Sequence, residues 1–178
     1  NRAILIAAAQ VLEDFGYNHA TTDRIAERAG VSIGSLYQYF SNKIELFERV
    51  FDRQSDTIVT GLQNFTIDDT ITPSENLQRL LEISKGSMTP GQFRELGRIP
   101  ELKLRISYVS RIVISSIAEL IGHFHPELSE TDRTRKADLI AASAHGLGLI
   151  SRDRKHNAAL VKEFDIMINR YLFGSSID

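Results

Sequence analysis

The stretch Thr22-Asp23-Arg24-Ile25-Ala26-Glu27-Arg28-Ala29-Gly30-Val31-Ser32-Ile33-Gly34-Ser35-Leu36-Tyr37-Gln38-Tyr39-Phe40-Ser41-Asn42-Lys43-Ile44-Glu45-Leu46 decides the fold. Thr21 and Thr22 precede Asp23, an acid suited to the positive end of a helix dipole. Ile25, Ala26 and Ala29 form a small apolar stripe that stops at Gly30, a residue that takes the left-handed conformation of a helix end without steric penalty. Ser32 caps a second short helix running to Phe40, and Ser41 offers the next cap. Two short helices about a turn of roughly three residues are the parts of a helix-turn-helix, whose second helix enters a major groove.

Upstream, Ile4, Ala8, Leu12 and Phe15 fall at helical spacing and Gly16 is a natural stop, which supplies a preceding helix; residues 17–20 read as a connector. Downstream of Lys43, the spacing of Leu46, Phe47, Val50, Phe51 and Ile58 predicts a long helix to about Phe65. Asp68, Asp69, Thr70, Thr72 and Pro73 break the pattern, and Leu77, Leu80 and Leu81 resume it until Gly86. Met88-Thr89-Pro90-Gly91 reads as another break, and Pro100 as the start of a helix that Leu104, Tyr108, Ile112 and Ile117 extend toward Phe124. After Pro126 and Ser129 come an apolar face of Leu139, Ile140, Ala144, Leu147 and Ile150, a charged loop at Arg152 to Lys155, and a last helix with Leu160, Phe164, Ile168 and Leu172. No strand-like alternation or internal repeat interrupts this order, so the expected class is all-α.

Composition narrows the chemistry. The 178 residues are 42% apolar and 25% charged, ordinary globular usage that argues against disorder. There is no Cys, hence no disulfide, thiolate nucleophile or sulfur-ligated zinc. No apolar run approaches the ~18 residues of a membrane span and the start lacks the form of a signal peptide, so a soluble cytoplasmic protein without membrane contact is expected. His123 and His125 stand two apart with no third ligand evident, and no phosphate loop or nucleophile arrangement is present. These features point away from an enzyme, and neither a metal nor a cofactor is expected.

On the second short helix, Leu36 and Phe40 are four apart and can anchor it, leaving Ser35, Tyr37, Gln38 and Tyr39 for other faces. Gly34 and Ser35 lack bulk and let a backbone approach closely. Gln38 suits a base edge, adenine above all; the tyrosine hydroxyls suit phosphate. Thr22 and Lys43, each near a helix N-terminus, are candidate phosphate clamps. The local charge is unhelpful: residues 1–50 carry five basic and six acidic side chains, net -1, and the whole chain -2. Either the charges separate by face or a basic arm precedes Asn1; two copies are needed in any case for useful affinity. The weak charge also motivates an alternative, a helical ligand-sensing or protein-interaction module without specific DNA binding.

The quoted stretch resembles the DNA-binding signature of the TetR family of bacterial transcriptional regulators, through the Ala-Gly-Val-Ser turn, the Leu-Tyr and Tyr-Phe pairs and the lysine three residues later. The resemblance implies a homodimer of all-α subunits: a three-helix helix-turn-helix DNA-binding domain over residues 1–46, then a larger helical effector-binding and dimerisation domain over 47–178. It places Thr22, Ser32, Gly34, Ser35, Tyr37, Tyr39 and Lys43 at the DNA backbone and Ile33 and Gln38 where specificity varies. Position 39, often histidine in the family, is tyrosine here. Arg98 to Glu101 resembles the connector before the seventh helix, and the last two helices resemble the family's dimer-forming pair.

The expected seam comprises Leu139, Ala142, Gly146, Leu147, Ile150, Phe164 and Ile168, where small residues permit close approach of helices. The expected effector pocket draws on Phe65, Leu81, Met88, Phe93, Leu104, Tyr108 and Ile112, with Ser84, Ser87, Gln92, Arg111 and His145 as polar candidates, which suits a small, mostly apolar ligand. The expected partners are thus a palindromic double-stranded operator, a second copy and that effector; family precedent makes repression the expected sign.

Overall fold

Why the helices begin and end where they do is visible in their caps. In the computed structural model, which describes residues 2–86, 88–150 and 154–173, the first helix, α1 (Arg2–His19), breaks its helical geometry at Gly16 (φ 70°, ψ 166°) and then makes one further turn. Helix α2 (Thr22–Ala29) is capped by Thr21, whose hydroxyl accepts the Arg24 N–H. It closes on Gly30 at φ 68°, while the Val31 N–H reaches back to the Ala26 carbonyl. Ser32 then caps α3 (Ile33–Tyr39), its hydroxyl accepting the Ser35 N–H at 3.0 Å.

Helix α4 (Lys43–Gln63) follows from an Asn42 cap whose Oδ1 accepts the Glu45 N–H at 2.9 Å. The remaining elements are α5 (Pro73–Lys85), α6 (Pro90–Leu96), a 3-10 turn (Pro100–Leu102), α7 (Lys103–Phe124), α8 (Glu130–Ile150) and α9 (Arg154–Phe173). The described residues form an all-α fold: N-terminal helix-turn-helix elements followed by a larger helical part. None of their helices is long and apolar enough to cross a membrane.

Helix α6 departs from the sequence expectation of a break at Met88–Gly91. Thr89 caps it through a reciprocal pair of bonds, its hydroxyl accepting the Gln92 N–H while the Gln92 side chain accepts the Thr89 N–H, with Pro90 in the first turn.

The chain divides into two compact units. The first comprises Asn1–Ile58 and Gly86–Val109. Its core joins Ile4, Ala8 and Leu12 of α1 and Ile25 of α2 to Leu36, Phe40, Phe47 and Phe51, and Leu96, Ile99 and Leu102 complete it from the later segment. The short helices of the turn are thus held by burial rather than by their own propensity.

The second unit comprises Val59–Lys85 and Ser110–Asp178. Leu77, Leu80, Ile117, Leu120, Ile121, Ala137 and Ile140 are buried there. Asn76 is buried with its polar atoms satisfied: Oδ1 accepts the Asp68 N–H, and Nδ2 donates to the carbonyls of Asp68 and Thr72. That pins the loop before α5, and Asn169 of α9 donates to Ser74 Oγ at 2.6 Å on the same helix.

Candidate nucleic-acid interface

Helix α3 is divided cleanly between anchor and outer face. Leu36 is 0% exposed and Phe40 is buried, whereas Tyr37 and Tyr39 are 50% and 55% exposed. Ile33, Gly34 and Gln38 are exposed on the same short helix and Ser35 is half-buried. A Cβ built on Gly34 meets nothing closer than the Ser32 hydroxyl at 3.8 Å, so no neighbour within the chain requires a glycine there. The hydroxyls of Ser32 and Ser35 lie 2.9 Å apart at the amino end of α3. Those of Thr22 and Tyr37 lie 3.2 Å apart, tying the start of α2 to the outer side of α3. Each hydroxyl is both donor and acceptor, so the surface offers neutral hydrogen-bonding groups around an unobstructed backbone.

Lys43, the first residue of α4, does not project freely. Its Nζ donates to the Tyr17 carbonyl at 2.6 Å and sits 4.1 Å from the Tyr17 ring centroid, and burial pulls its pKa below the usual lysine value. The Tyr17 ring meets Phe47 edge-on at 5.6 Å, and its phenol is pushed up, by burial first and Glu101 second. Beside Lys43, the Glu45 carboxylate accepts the Ser41 N–H at 2.8 Å, a bond that holds its pKa below the ordinary range.

The net charge of -1 over residues 1–50 takes a different meaning once partners are located. Asp14 pairs with Arg28, Glu13 accepts from Gln92, and Glu48 and Asp52 face Arg105 of α7 at 3.5 and 2.5 Å. Counted over the whole first unit, ten basic and ten acidic side chains balance. Arg24 and Arg28, four residues apart on α2, both stand over the Phe15 ring, at 4.6 and 5.9 Å.

The residues expected to line an effector pocket fall in both units. Phe65, Leu81 and Ile112 belong to the second; Met88, Phe93, Leu104 and Tyr108 belong to the first. Met88 packs against the first unit's core, but Leu104 is 82% exposed and Tyr108 is also exposed, because the first turns of α7 present these positions outward. Among the polar candidates, Gln92 is occupied with α1, Ser84 donates to the Leu81 carbonyl, and Ser87 lies outside the described residues. A groove in the second unit is lined by both charged and apolar side chains, among them Arg111, Ile114, Ala118, Glu119, Arg133 and Asp138.

Of the expected seam, Leu139 and Ala142 are exposed on α8, and a Cβ on Gly146 would meet only open space. Phe164 and Ile168 instead face their own unit's core, 8% and 4% exposed; spacing of four identifies an apolar face without telling whose helices cover it. Among the described side chains of α9, Val161, Ile166, Met167 and Tyr171 are large, apolar and exposed. The side chains of Leu147 and Ile150 lie outside the described residues. His123 and His125 diverge, one to Asp69 and one to Glu127, and no group of three metal-ligating side chains occurs among the described residues. Sequence reasoning did not single out Tyr17, Glu95 or Arg105, whose contacts join residues 53 to 78 positions apart.

Residues 4–50 match the family described as bacterial regulatory proteins, tetR family. The HTH-type transcriptional activator FasR of Mycolicibacterium smegmatis is 46% identical over 77 residues, which are 43% of this chain and 33% of that protein. This chain therefore spans about a third of the length of that relative. Over nearly the whole chain the fold matches a transcriptional regulator from Rhodococcus sp. Rha1 at a TM-score of 0.76 and 18% identity, covering 99% of this chain and 98% of that one. It also matches FadR of Bacillus subtilis, solved in complex with stearoyl-CoA, at a TM-score of 0.74 and 18% identity, covering 98% and 99%. A capped helix-turn-helix with an exposed outer face thus lies within the stretch, residues 4–50, that matches the tetR family, on a chain whose fold recurs among solved transcriptional regulators.

Proposed function

We propose that the chain binds a palindromic operator as a homodimer, represses from it, and is released by a small, mostly apolar effector. The observation that carries the reading is the outer face of α3: Tyr37, Gln38 and Tyr39 are exposed while Leu36 and Phe40 hold the helix from behind. With residues 1–46 as reading head, Thr22, Ser32, Ser35, Tyr37, Tyr39 and Lys43 meet phosphates, Gly34 allows the approach, and Ile33 and Gln38 meet bases. Lys43 keeps N–H groups beyond the one given to Tyr17, so a phosphate joins that arrangement without breaking it.

Residues 47–178 supply effector binding and dimerisation in this reading. Leu139, Ala142 and Gly146 of α8, with the exposed side chains of α9, form the seam, and a symmetric protein matches a symmetric operator with heads about 34 to 36 Å apart. Phe65, Leu81, Met88, Phe93, Leu104, Tyr108 and Ile112 remain the proposed effector contacts.

The decisive experiment selects bound fragments from a genomic library and measures affinity for the selected duplex. Gln38→Ala is expected to relax preference at one or two base positions by about 1–3 kcal/mol, and Lys43→Ala to weaken every sequence alike. Uniform weakening by both substitutions would withdraw the base-reading role of Gln38.

An effector must bind the operator-free form better than the bound one. Stearoyl-CoA is the first compound to titrate, because the FadR relative was solved with it. Release of the duplex is expected for an inducer, and unchanged affinity at saturation rejects the compound.

A further inference from the structure

Helix α6 buries two polar side chains, Gln92 and Glu95, against α1. Gln92 donates to the Ala9 carbonyl at 3.4 Å and to Glu13 at 3.1 Å. Glu95 accepts the Tyr17 N–H at 3.1 Å, and Arg98 donates to both of its oxygens at 3.0 and 3.2 Å. A buried carboxylate carries a desolvation penalty that an apolar side chain of similar size avoids, so packing alone gives no reason for it.

The reason lies in the break at Gly16. Its positive φ turns the chain out of the helix, and the next N–H, that of Tyr17, finds its acceptor in Glu95. A Cβ at position 16 would stand 3.0 Å from Glu95 Oε2, so the glycine also makes room for the carboxylate. At the other end of the same residue, the Tyr17 carbonyl receives the Lys43 ammonium at 2.6 Å and the ring lies beneath it. Tyr17 is therefore gripped from α6 at its N–H while it holds Lys43 by its carbonyl and ring.

We propose that Glu95 is a positioning residue for operator binding, fixing Tyr17 and, through it, the Lys43 ammonium at the amino end of α4. The inference rests on the phosphate role of Lys43 given above. It assigns α6, which also bears Phe93, a direct mechanical link to the phosphate clamp.

The test compares full-length wild type, K43A, E95M, E95Q and the K43A/E95M double variant on the selected operator duplex across a salt series, with circular dichroism and melting as fold controls. Each lost phosphate contact lowers the slope of log affinity against log salt by about 0.9, hence about 1.8 for two copies. K43A is expected to show that loss, and E95M the same loss, because methionine fills the volume without an acceptor. E95Q should keep the wild-type slope, since its amide oxygen still accepts the Tyr17 N–H, and the double variant should match K43A. Should E95M fail to fold, E95D keeps the charge but withdraws the acceptor by one methylene, and is expected to lose slope likewise.

A wild-type slope in the folded E95M or E95D variant, an E95Q as impaired as E95M, or a double variant losing a further contact would each overturn the positioning role. A K43A protein with the wild-type slope would remove the phosphate role itself and this inference with it; a slope lost in K43A but kept in E95M overturns the inference alone.

Discussion

Leu36→Ala is expected to destabilise the first unit by about 2–5 kcal/mol and to abolish operator binding. Leu36 has no solvent-exposed surface and is the inward anchor of a seven-residue helix whose neighbours in the core include residues of α1, α2 and α4. Truncation removes the transfer free energy of the lost methyl groups and leaves a cavity that a close-packed core fills only in part. A helix of two turns has almost no stability of its own, so its order depends on this contact and on the buried Phe40. Urea unfolding followed by circular dichroism should show the midpoint falling, and the mobility shift should vanish. A loss under about 1 kcal/mol with binding intact would mean that α3 is held by something other than Leu36.

Gly34→Leu is expected to do the opposite to the fold and the same to binding. Gly34 lies in an ordinary helical turn where a Cβ would make no contact tighter than 3.8 Å to the Ser32 hydroxyl, so leucine relieves the entropic penalty of glycine and should stabilise the helix by roughly 0.5–1 kcal/mol. The new side chain occupies the space through which a DNA backbone approaches, and affinity should fall at least about a hundredfold, some 2.8 kcal/mol. Gly34→Ala should give the same sign on both measurements at smaller size. A leucine variant that melts higher and binds as well as wild type would show that the groove-facing side of α3 has been misassigned.

Local signals were legible in proportion to how local their cause is. Ser32 and Gly30 declare themselves because a cap or a left-handed residue is fixed by its own chemistry, and the structure places both as the sequence predicts. The stop at Gly16 is likewise real, although the chain makes one more turn after it. Helix α6 escaped because two turns are too short for a periodic apolar pattern, and Pro90 and Gly91 read as breakers; the signal that could have found it is Thr89 with Gln92 three residues on, a reciprocal cap with Pro90 at the first position. Charge misled for a related reason: a count over residues 1–50 includes Glu48 but not the Arg105 that faces it.

The site was half legible. Which side of α3 faces inward follows from Leu36 and Phe40 four apart, and the structure agrees. That Lys43 leans on Tyr17, and Tyr17 on Glu95, depends on contacts across 26 and 78 residues that no local pattern encodes. Apolar spacing in α9 was equally silent about which helices cover Phe164 and Ile168.

The separation between the inward anchors Leu36 and Phe40 and the exposed outer positions of α3 bears on inheritance. Ile33, Gln38 and Tyr39 are open to replacement with little consequence for folding, so descendants of this gene can acquire new target sequences one substitution at a time while every intermediate remains a folded protein. Drift at the anchors has no such freedom, and lineages that diverge in what they recognise should still share the residues that hold the helix down.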